Sequence, residues 1–195
     1  VQIRFRGEDE EQQKAEVFLR KAFVVALFVM GVILVTQFNN FYHAFLILSA
    51  VIFSTIGVFL GLIFTHQPFG IVMNGIGVIA LAGIVVNNNI VLIDTYTVLR
   101  GKGMAPYEAV LRTGAQRLRP VLLTTFTTVL GLLPMVFKVN IDFITRHVSY
   151  GAPSTQWWTQ LATSVAFGLV FATGLTLILT PTLLYLRSEE RRVGK

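Results

Sequence analysis

The sequence lacks cysteine and is poor in charge. Because none of its 195 residues is a cysteine, the chain holds neither a disulfide framework nor a thiolate metal site. Charged residues make up 13% of the chain, whereas an average soluble domain has roughly 25%. The sequence also has no P-loop, nucleophile elbow or paired catalytic carboxylates. Nothing in it indicates an enzyme, and we expect no cofactor and no metal site.

Hydrophobic residues, by contrast, are abundant and continuous. They make up 54% of the chain and form five long runs, at residues 22–38, 44–65, 69–99, 121–137 and 159–186. A helix needs ~20 apolar residues to cross a bilayer, and the shorter runs reach this length with their flanks. Because backbone polar groups must be paired inside lipid, such runs fold as helices. We therefore predict an all-α membrane protein, a bundle of about five transmembrane helices over residues 22–186 that contacts the lipid bilayer.

The segments around these runs are polar. Residues 1–7 alternate apolar and polar side chains, which predicts a strand, and residues 8–21 predict an amphipathic helix leading into the membrane. Residues 104–116 predict a short cytoplasmic helix before the fourth span, whose start we place at Pro120 because proline fits the first turn of a helix. Residues 187–195 resemble a translated sequencing adapter, so we assign them to a non-native tail. A normal basic cytoplasmic tail is the alternative.

The net charge of +6 lies mostly beside the apolar runs. This distribution favours an effect on membrane topology over nucleic-acid binding. The link between the third and fourth runs carries one acid, Glu108, against five basic residues, Arg100, Lys102, Arg112, Arg117 and Arg119. The positive-inside rule places this link in the cytoplasm. The first span then enters the membrane from the outside, as expected for a chain preceded by a periplasmic or extracellular domain.

The third run carries polar residues at membrane depth. Ala80, Gly83, Asn87 and Asp94 are separated by three, four and seven positions, which places them on one helix face. Polar groups in a span usually face the interior of the bundle. Either this face lines an ion pathway, or its polar groups form interhelical hydrogen bonds that hold the bundle together. Asp94 lies near the cytoplasmic end, where an interfacial carboxylate is the simpler interpretation.

The fourth run carries a matching stripe. Arg117, Thr124, Thr128 and Gly131 are separated by seven, four and three positions and share a face. Hydroxyl groups in a span often bond to their own helix, whereas a threonine stripe opposite an asparagine stripe could order water for proton movement. Arg117 at the mouth of the span is compatible with a snorkelling anchor.

Other small and polar residues have structural interpretations. Asn88 and Asn89 point to other faces of the third span, which favours a structural role for both. Gly77, Gly83 and Gly131 allow neighbouring helices to approach closely, so we predict that they pack helices.

Two segments of the sequence resemble a known family. Gly83–Tyr96 (GIVVNNNIVLIDTY) and Glu108–Phe137, which contains RLRPVLLTTFTTVLGLLP, closely resemble resistance-nodulation-division (RND) efflux transporters of the hydrophobe/amphiphile efflux-like branch. The resemblance extends over nearly the whole chain, to about Leu186. It implies that the chain is the second half of an RND transmembrane domain, the last five of twelve spans, and that residues 1–21 include the end of a periplasmic porter region.

The resemblance also implies partners, a membrane and an energy source. RND pumps are homotrimers in the inner membrane of Gram-negative bacteria, and they exchange protons for substrate. They work with a periplasmic adaptor and an outer-membrane channel. The chain is thus expected to pack against the N-terminal half of the same transporter and to use the proton gradient to export drugs or other hydrophobic or amphiphilic compounds.

The resemblance further implies relay residues. The family uses a pair of aspartates in the fourth span, outside this chain, a lysine in the tenth span, and a threonine and an arginine in or beside the eleventh. The threonine position matches Thr124 and the arginine position matches Arg117. The lysine position falls on Asn87, which cannot change its charge. Either other groups carry the proton in this branch, or Asn87 only orients its neighbours.

Alternative functions remain compatible with the sequence. An RND relative that exports metal ions, lipids or protein would have its substrate ligands largely outside this chain. A membrane scaffold or an inert gene fragment is a further alternative. The asparagine and threonine stripes favour a transporter, because a scaffold does not need polar stripes on neighbouring spans.

Overall fold

The computed structural model describes residues 8–142, 147–151 and 153–193, so the strand predicted over residues 1–7 lies outside the described residues. The elements in chain order are five helices and one hairpin: α1 (Glu8–Phe38), α2 (Phe41–Phe64), α3 (Ile71–Gly101), α4 (Pro106–Val136), β1 (Val139–Asp142), β2 (His147–Tyr150) and α5 (Pro153–Val193).

All five helices are long and apolar enough to cross a membrane. α1, α3 and α4 have 31 residues each, a rise of about 46 Å at ~1.5 Å per residue. This exceeds the ~30 Å hydrocarbon core of a bilayer, so the polar ends of these helices extend past it. The prediction of an all-α transmembrane bundle is therefore confirmed.

The predicted start of a separate helix at Pro120 is wrong. α4 begins at Pro106, in the first turn of the helix, and continues through Pro120 and Pro134 to Val136. The segment that we predicted as a separate cytoplasmic helix is thus the first part of α4. An internal proline removes one backbone hydrogen bond, but transmembrane helices tolerate this because neighbouring helices and hydroxyl side chains satisfy the freed carbonyl.

The link between α4 and α5 forms a structure that the sequence analysis did not predict. β1 and β2 pair antiparallel, with Val139 opposite Tyr150 and Asp142 opposite His147. The hairpin lies at the end of α4 opposite the basic link, so it falls on the predicted outer side of the membrane.

The helix α5 lies at the centre of the bundle and packs against α2, α3 and α4. In its most apolar stretch, 56% of the residues are buried, compared with 17% for α4 and 6% for α1. The core consists of aliphatic side chains from these helices, including Ile47, Val58, Leu81, Ile93 and Leu169. Much of α1 and α4 is therefore open in this chain.

The end of α5 contacts the N-terminal end of α2. The Tyr42 hydroxyl donates to the Leu183 carbonyl at 3.0 Å. The guanidinium of Arg187 lies 4.0 Å from the centre of the Tyr42 ring and donates to the Asn40 side chain at 3.3 Å. Arg187, the first residue of the predicted non-native tail, thus packs on the bundle, and the origin of residues 187–195 stays a prediction.

Glycines on α2 allow α5 to approach closely. A Cβ atom built on Gly57 would lie 2.4 Å from the Cβ of Phe171, and one built on Gly61 would lie 2.4 Å from the Cβ of Phe167. Both contacts involve atoms fixed to the α5 backbone, so a side chain at either glycine would push the helices apart. Small residues at such crossings are typical of membrane helix pairs.

We predict that Gly61→Ala destabilises the bundle, whereas Gly174→Ala does not. Nothing lies within 4 Å of a Cβ built on Gly174, so this substitution serves as the control on α5. Overpacking at Gly61 is expected to cost about 2 kcal/mol of unfolding free energy. Detergent-solubilised chain unfolded with increasing dodecyl sulfate, followed by tryptophan fluorescence, measures both values. Equal stabilities for the two variants would contradict the close packing of α2 on α5.

Candidate functional site

The stripe predicted on α3 is an open face of this chain. Ala80, Gly83, Asn87 and Asp94 are all exposed, so no described element covers them. A bare amide in hydrocarbon is costly, and polar residues in spans therefore face protein or water. This face is expected to contact another part of the protein or a water-filled path rather than lipid.

The stripe predicted on α4 is also largely open. Thr124 and Gly131 are exposed, and Thr128 and Arg117 are half-buried. The Thr124 hydroxyl donates to the Val121 carbonyl of its own helix at 2.9 Å. Among the described residues, no hydrogen bond joins this stripe to Asn87 on α3. The relay roles of Asn87, Asp94, Arg117, Thr124 and Thr128 stay predictions.

A hydrogen bond joins the two helices at the basic end. The Nε of Arg117 donates to the Thr95 hydroxyl oxygen at 2.6 Å, and the Thr95 hydroxyl donates to the Val91 carbonyl at 2.9 Å. Thr95 is 7% exposed. The sequence analysis did not identify Thr95, because a separation of 22 residues between two helices leaves no periodic signal.

A second polar contact lies in the interior, between α3 and α5. Asn89 is fully buried, and its amide nitrogen donates to the Thr176 hydroxyl at 3.1 Å and to the Val85 carbonyl at 3.0 Å. The Thr180 hydroxyl donates to the Asn89 amide oxygen at 2.9 Å. The structural role favoured for Asn89 agrees with this geometry.

Further polar pairs join α5 to α4 and to another part of α3. The hydroxyls of Thr125 on α4 and Thr173 on α5 lie 2.7 Å apart. The Ser164 hydroxyl donates to the Asn74 side-chain oxygen at 2.6 Å. The Asn74 amide nitrogen is buried and has no hydrogen-bond partner among the described residues. α5 thus presents hydroxyls to α3 and α4 at several depths.

The glycines predicted to pack helices fall into two groups. A Cβ on Gly77 would lie 2.9 Å from the Cβ of Ser164, which places Gly77 at the crossing of α3 and α5. Nothing lies within 4 Å of a Cβ on Gly83 or Gly131. Neither of these two packs a helix within the described part of the chain, so their role stays a prediction about helices outside it.

The described residues bring together no group of three histidine, aspartate or glutamate side chains that could hold a metal ion. The one ion pair seen among them joins Arg112 to Glu108 at 2.8 Å, one turn apart on an exposed face of α4.

Five membrane-length helices with polar side chains inside the bundle and on open faces define a multi-pass membrane protein. The model of the AcrB/AcrD/AcrF family matches residues 1–188. The chain belongs to this family of RND permeases, which are transporters rather than enzymes.

Named relatives and solved structures are also similar. The chain is 31% identical to the swarming motility protein SwrC of Bacillus subtilis over 88% of its length. It is 33% identical to the cobalt-zinc-cadmium resistance protein CzcA of Cupriavidus metallidurans over 91% of its length. Two crystal forms of a heavy metal efflux pump match 92% of the chain, with TM-scores of 0.75 and 0.76 and identities of 33% and 32%.

The chain covers only a small part of these proteins. It spans 15% of the length of SwrC and of CzcA, and 16% and 17% of the pump chains in the two crystal forms. The matched part corresponds to a segment of an RND permease.

We predict that Asn89→Ala destabilises the bundle by about 1 kcal/mol, in the range measured for interhelical hydrogen bonds in membranes. The substitution removes the contacts to Thr176 and Thr180. Asn87→Ala is the matched control, because Asn87 is exposed on the same helix. Unfolding free energies in mixed micelles provide the test, and an equal loss for both variants would show that the Asn89 contacts do not stabilise the bundle.

Proposed function

We propose that the chain forms the second-half transmembrane bundle of a proton-driven efflux permease in a bacterial inner membrane. The observation that supports this most directly is an open polar face on α3 and another on α4, with Asn87 and Thr124 exposed inside the apolar runs and Asp94 exposed near the predicted cytoplasmic end of α3. A stable bundle does not need such a face, whereas a permease needs polar groups beside the path of the coupling ion.

The side chains on this face suit the ordering of water and the stabilisation of charge. The Asn87 amide donates and accepts hydrogen bonds, the Thr124 oxygen accepts while its proton is donated to the Val121 carbonyl, and the Arg117 guanidinium is a permanent positive charge. Asn87 cannot itself take up a proton, so in this proposal it orients water or a neighbouring group. The proton gradient supplies the energy, and no cofactor is required.

The proposed assembly of the transporter rests on membership of the RND family. The exposed faces of α1 and α4 are available for the N-terminal half of the same transporter, and a homotrimer with a periplasmic adaptor and an outer-membrane channel completes the export path. This chain spans 15% of the length of SwrC and of CzcA, which supports its packing against other parts of a longer transporter.

Two classes of cargo are candidates. The resemblance of the Gly83–Tyr96 and Glu108–Phe137 motifs supports hydrophobic or amphiphilic compounds, including drugs. Divalent metal cations are the second candidate, supported by the 33% identity to a cobalt-zinc-cadmium resistance protein and to a heavy metal efflux pump. The chain itself offers no feature that separates the two, since the cargo site lies in other parts of such pumps.

We predict that Thr124→Ala in the full-length transporter lowers proton-driven export by about tenfold or more. We expect this loss to be smaller than the loss caused by removing a group that transfers the proton itself. The matched control is Thr127→Ala. Thr127 is exposed on the same helix, bonds only to carbonyls of α4, and is not one of the predicted relay residues. Growth of a pump-deficient strain in amphiphilic drugs, and separately in cobalt, zinc and cadmium salts, measures export and identifies the cargo.

The outcomes separate the parts of this proposal. Protection against drugs alone supports the first cargo class, and protection against the metal salts alone supports the second. Unchanged protection in Thr124→Ala, with normal protein in the membrane, would contradict the relay role of Thr124. Protection that survives collapse of the proton gradient would contradict proton-driven export.

A further inference from the structure

The contact between Arg117 and Thr95 joins a charged guanidinium on α4 to a neutral hydroxyl on α3, which we call the anchor. The Thr95 hydroxyl has one proton, which it donates to the Val91 carbonyl at 2.9 Å. Its oxygen lone pair is thereby turned to the Arg117 Nε, which donates to it at 2.6 Å. Thr95 is 7% exposed, so little water competes for this bond.

The anchor orients the arginine without neutralising it. A guanidinium has five N–H donors, and Thr95 engages only the one on Nε. Within the described part of the chain, Arg117 forms no ion pair, unlike Arg112, which pairs with Glu108 at 2.8 Å. The Nη1 and Nη2 groups are the forked donors that recognise a carboxylate in a bidentate manner, and they remain available to an acid outside this chain.

The anchor also connects Arg117 to α3. Asp94 and Asn87 lie on the same helix as Thr95, and Asn89 holds that helix to α5 through Thr176. A displacement of α3 relative to α4 would therefore change the orientation of the guanidinium. A lysine at position 117 would lack the Nε donor and could not be held in this way.

We propose that Thr95 is a positioning residue: its hydroxyl holds the Arg117 guanidinium in the orientation needed for proton-coupled export. The proposal rests on the proposed function, in which Arg117 stabilises charge in the relay. Thr95 itself is not a relay group, because its hydroxyl proton is donated to the Val91 carbonyl and its oxygen accepts from the Arg117 Nε, so both its donor and its acceptor are used within the chain.

The test uses the full-length transporter in inverted membrane vesicles, with export rates divided by the amount of transporter in the membrane. Thr95→Val removes the acceptor at nearly constant volume, and Thr95→Ser retains it. Thr113→Val is the control, because Thr113 is equally buried and its hydroxyl bonds only to the Ala109 carbonyl of its own helix. Thr95→Ala is a second variant in case Thr95→Val fails to reach the membrane.

We expect Thr95→Val to lower the maximal export rate roughly tenfold, as for one hydrogen bond to a charged group, with an unchanged KM for the cargo. Thr95→Ser is expected to stay within about twofold of wild type, since it keeps the acceptor. In an Arg117→Gln background, Thr95→Val is expected to cause no further loss, because residues that act through one contact are not additive.

Two results would overturn the proposal. If Thr95→Val and Thr113→Val have the same rate while Arg117→Gln abolishes export, Thr95 does not position Arg117 and the proposed function stands. If Arg117→Gln exports at the wild-type rate with the same dependence on the proton gradient, the relay role of Arg117 is wrong and the positioning role of Thr95 is wrong with it.

Discussion

The free-energy cost of an unpaired polar group in hydrocarbon determines both the backbone structure and the side-chain contacts of this protein. An amide or hydroxyl that leaves water without gaining a partner loses several kcal/mol, on the order of 4–8 for transfer to an alkane. The backbone meets this cost by forming five long helices. Inside the bundle, the Asn89 amide meets it through Thr176 and Thr180 on α5. On the open face of α3, Asn87 has no such partner within the described chain, and it is there that we place the functional face.

The central helix α5 combines two kinds of contact. Close approach at Gly57 and Gly61 on α2 provides dispersion contacts along one side, and hydroxyl pairs such as Thr125–Thr173 provide polar contacts along another. Because lipid chains are as apolar as leucine, packing and hydrogen bonds, not exclusion from water, hold such helices together. The bundle is therefore closely packed around α5 and exposed along α1 and α4, where we propose that the other half of a transporter packs.

Features encoded by local patterns could be predicted from the sequence, and features that depend on tertiary contacts could not. The length of the apolar runs predicted five helical spans, and a spacing of seven residues placed Asn87 and Asp94 on one face of α3. The local rule for proline misplaced the start of α4, because a helix in a bundle tolerates Pro120 in its interior. The pairing of Arg117 with Thr95, and of Asn89 with Thr180, depends on how separate helices meet, and no periodicity in the sequence records it.

We propose that the face of α3 carrying Asn87 and the face of α4 carrying Thr124 contact protein or water, not lipid. The chain has no native cysteine, so nitroxide labels attached to N87C, T124C and the exposed apolar reference F28C report on single sites within it. Collision rates with oxygen, which concentrates in lipid, and with a water-soluble nickel chelate measure the surroundings of each label in the full-length transporter. The account predicts low oxygen collision rates at positions 87 and 124 compared with position 28. Oxygen collision rates as high as at position 28, with the nickel chelate excluded, would show that this face lies in lipid and would contradict the account.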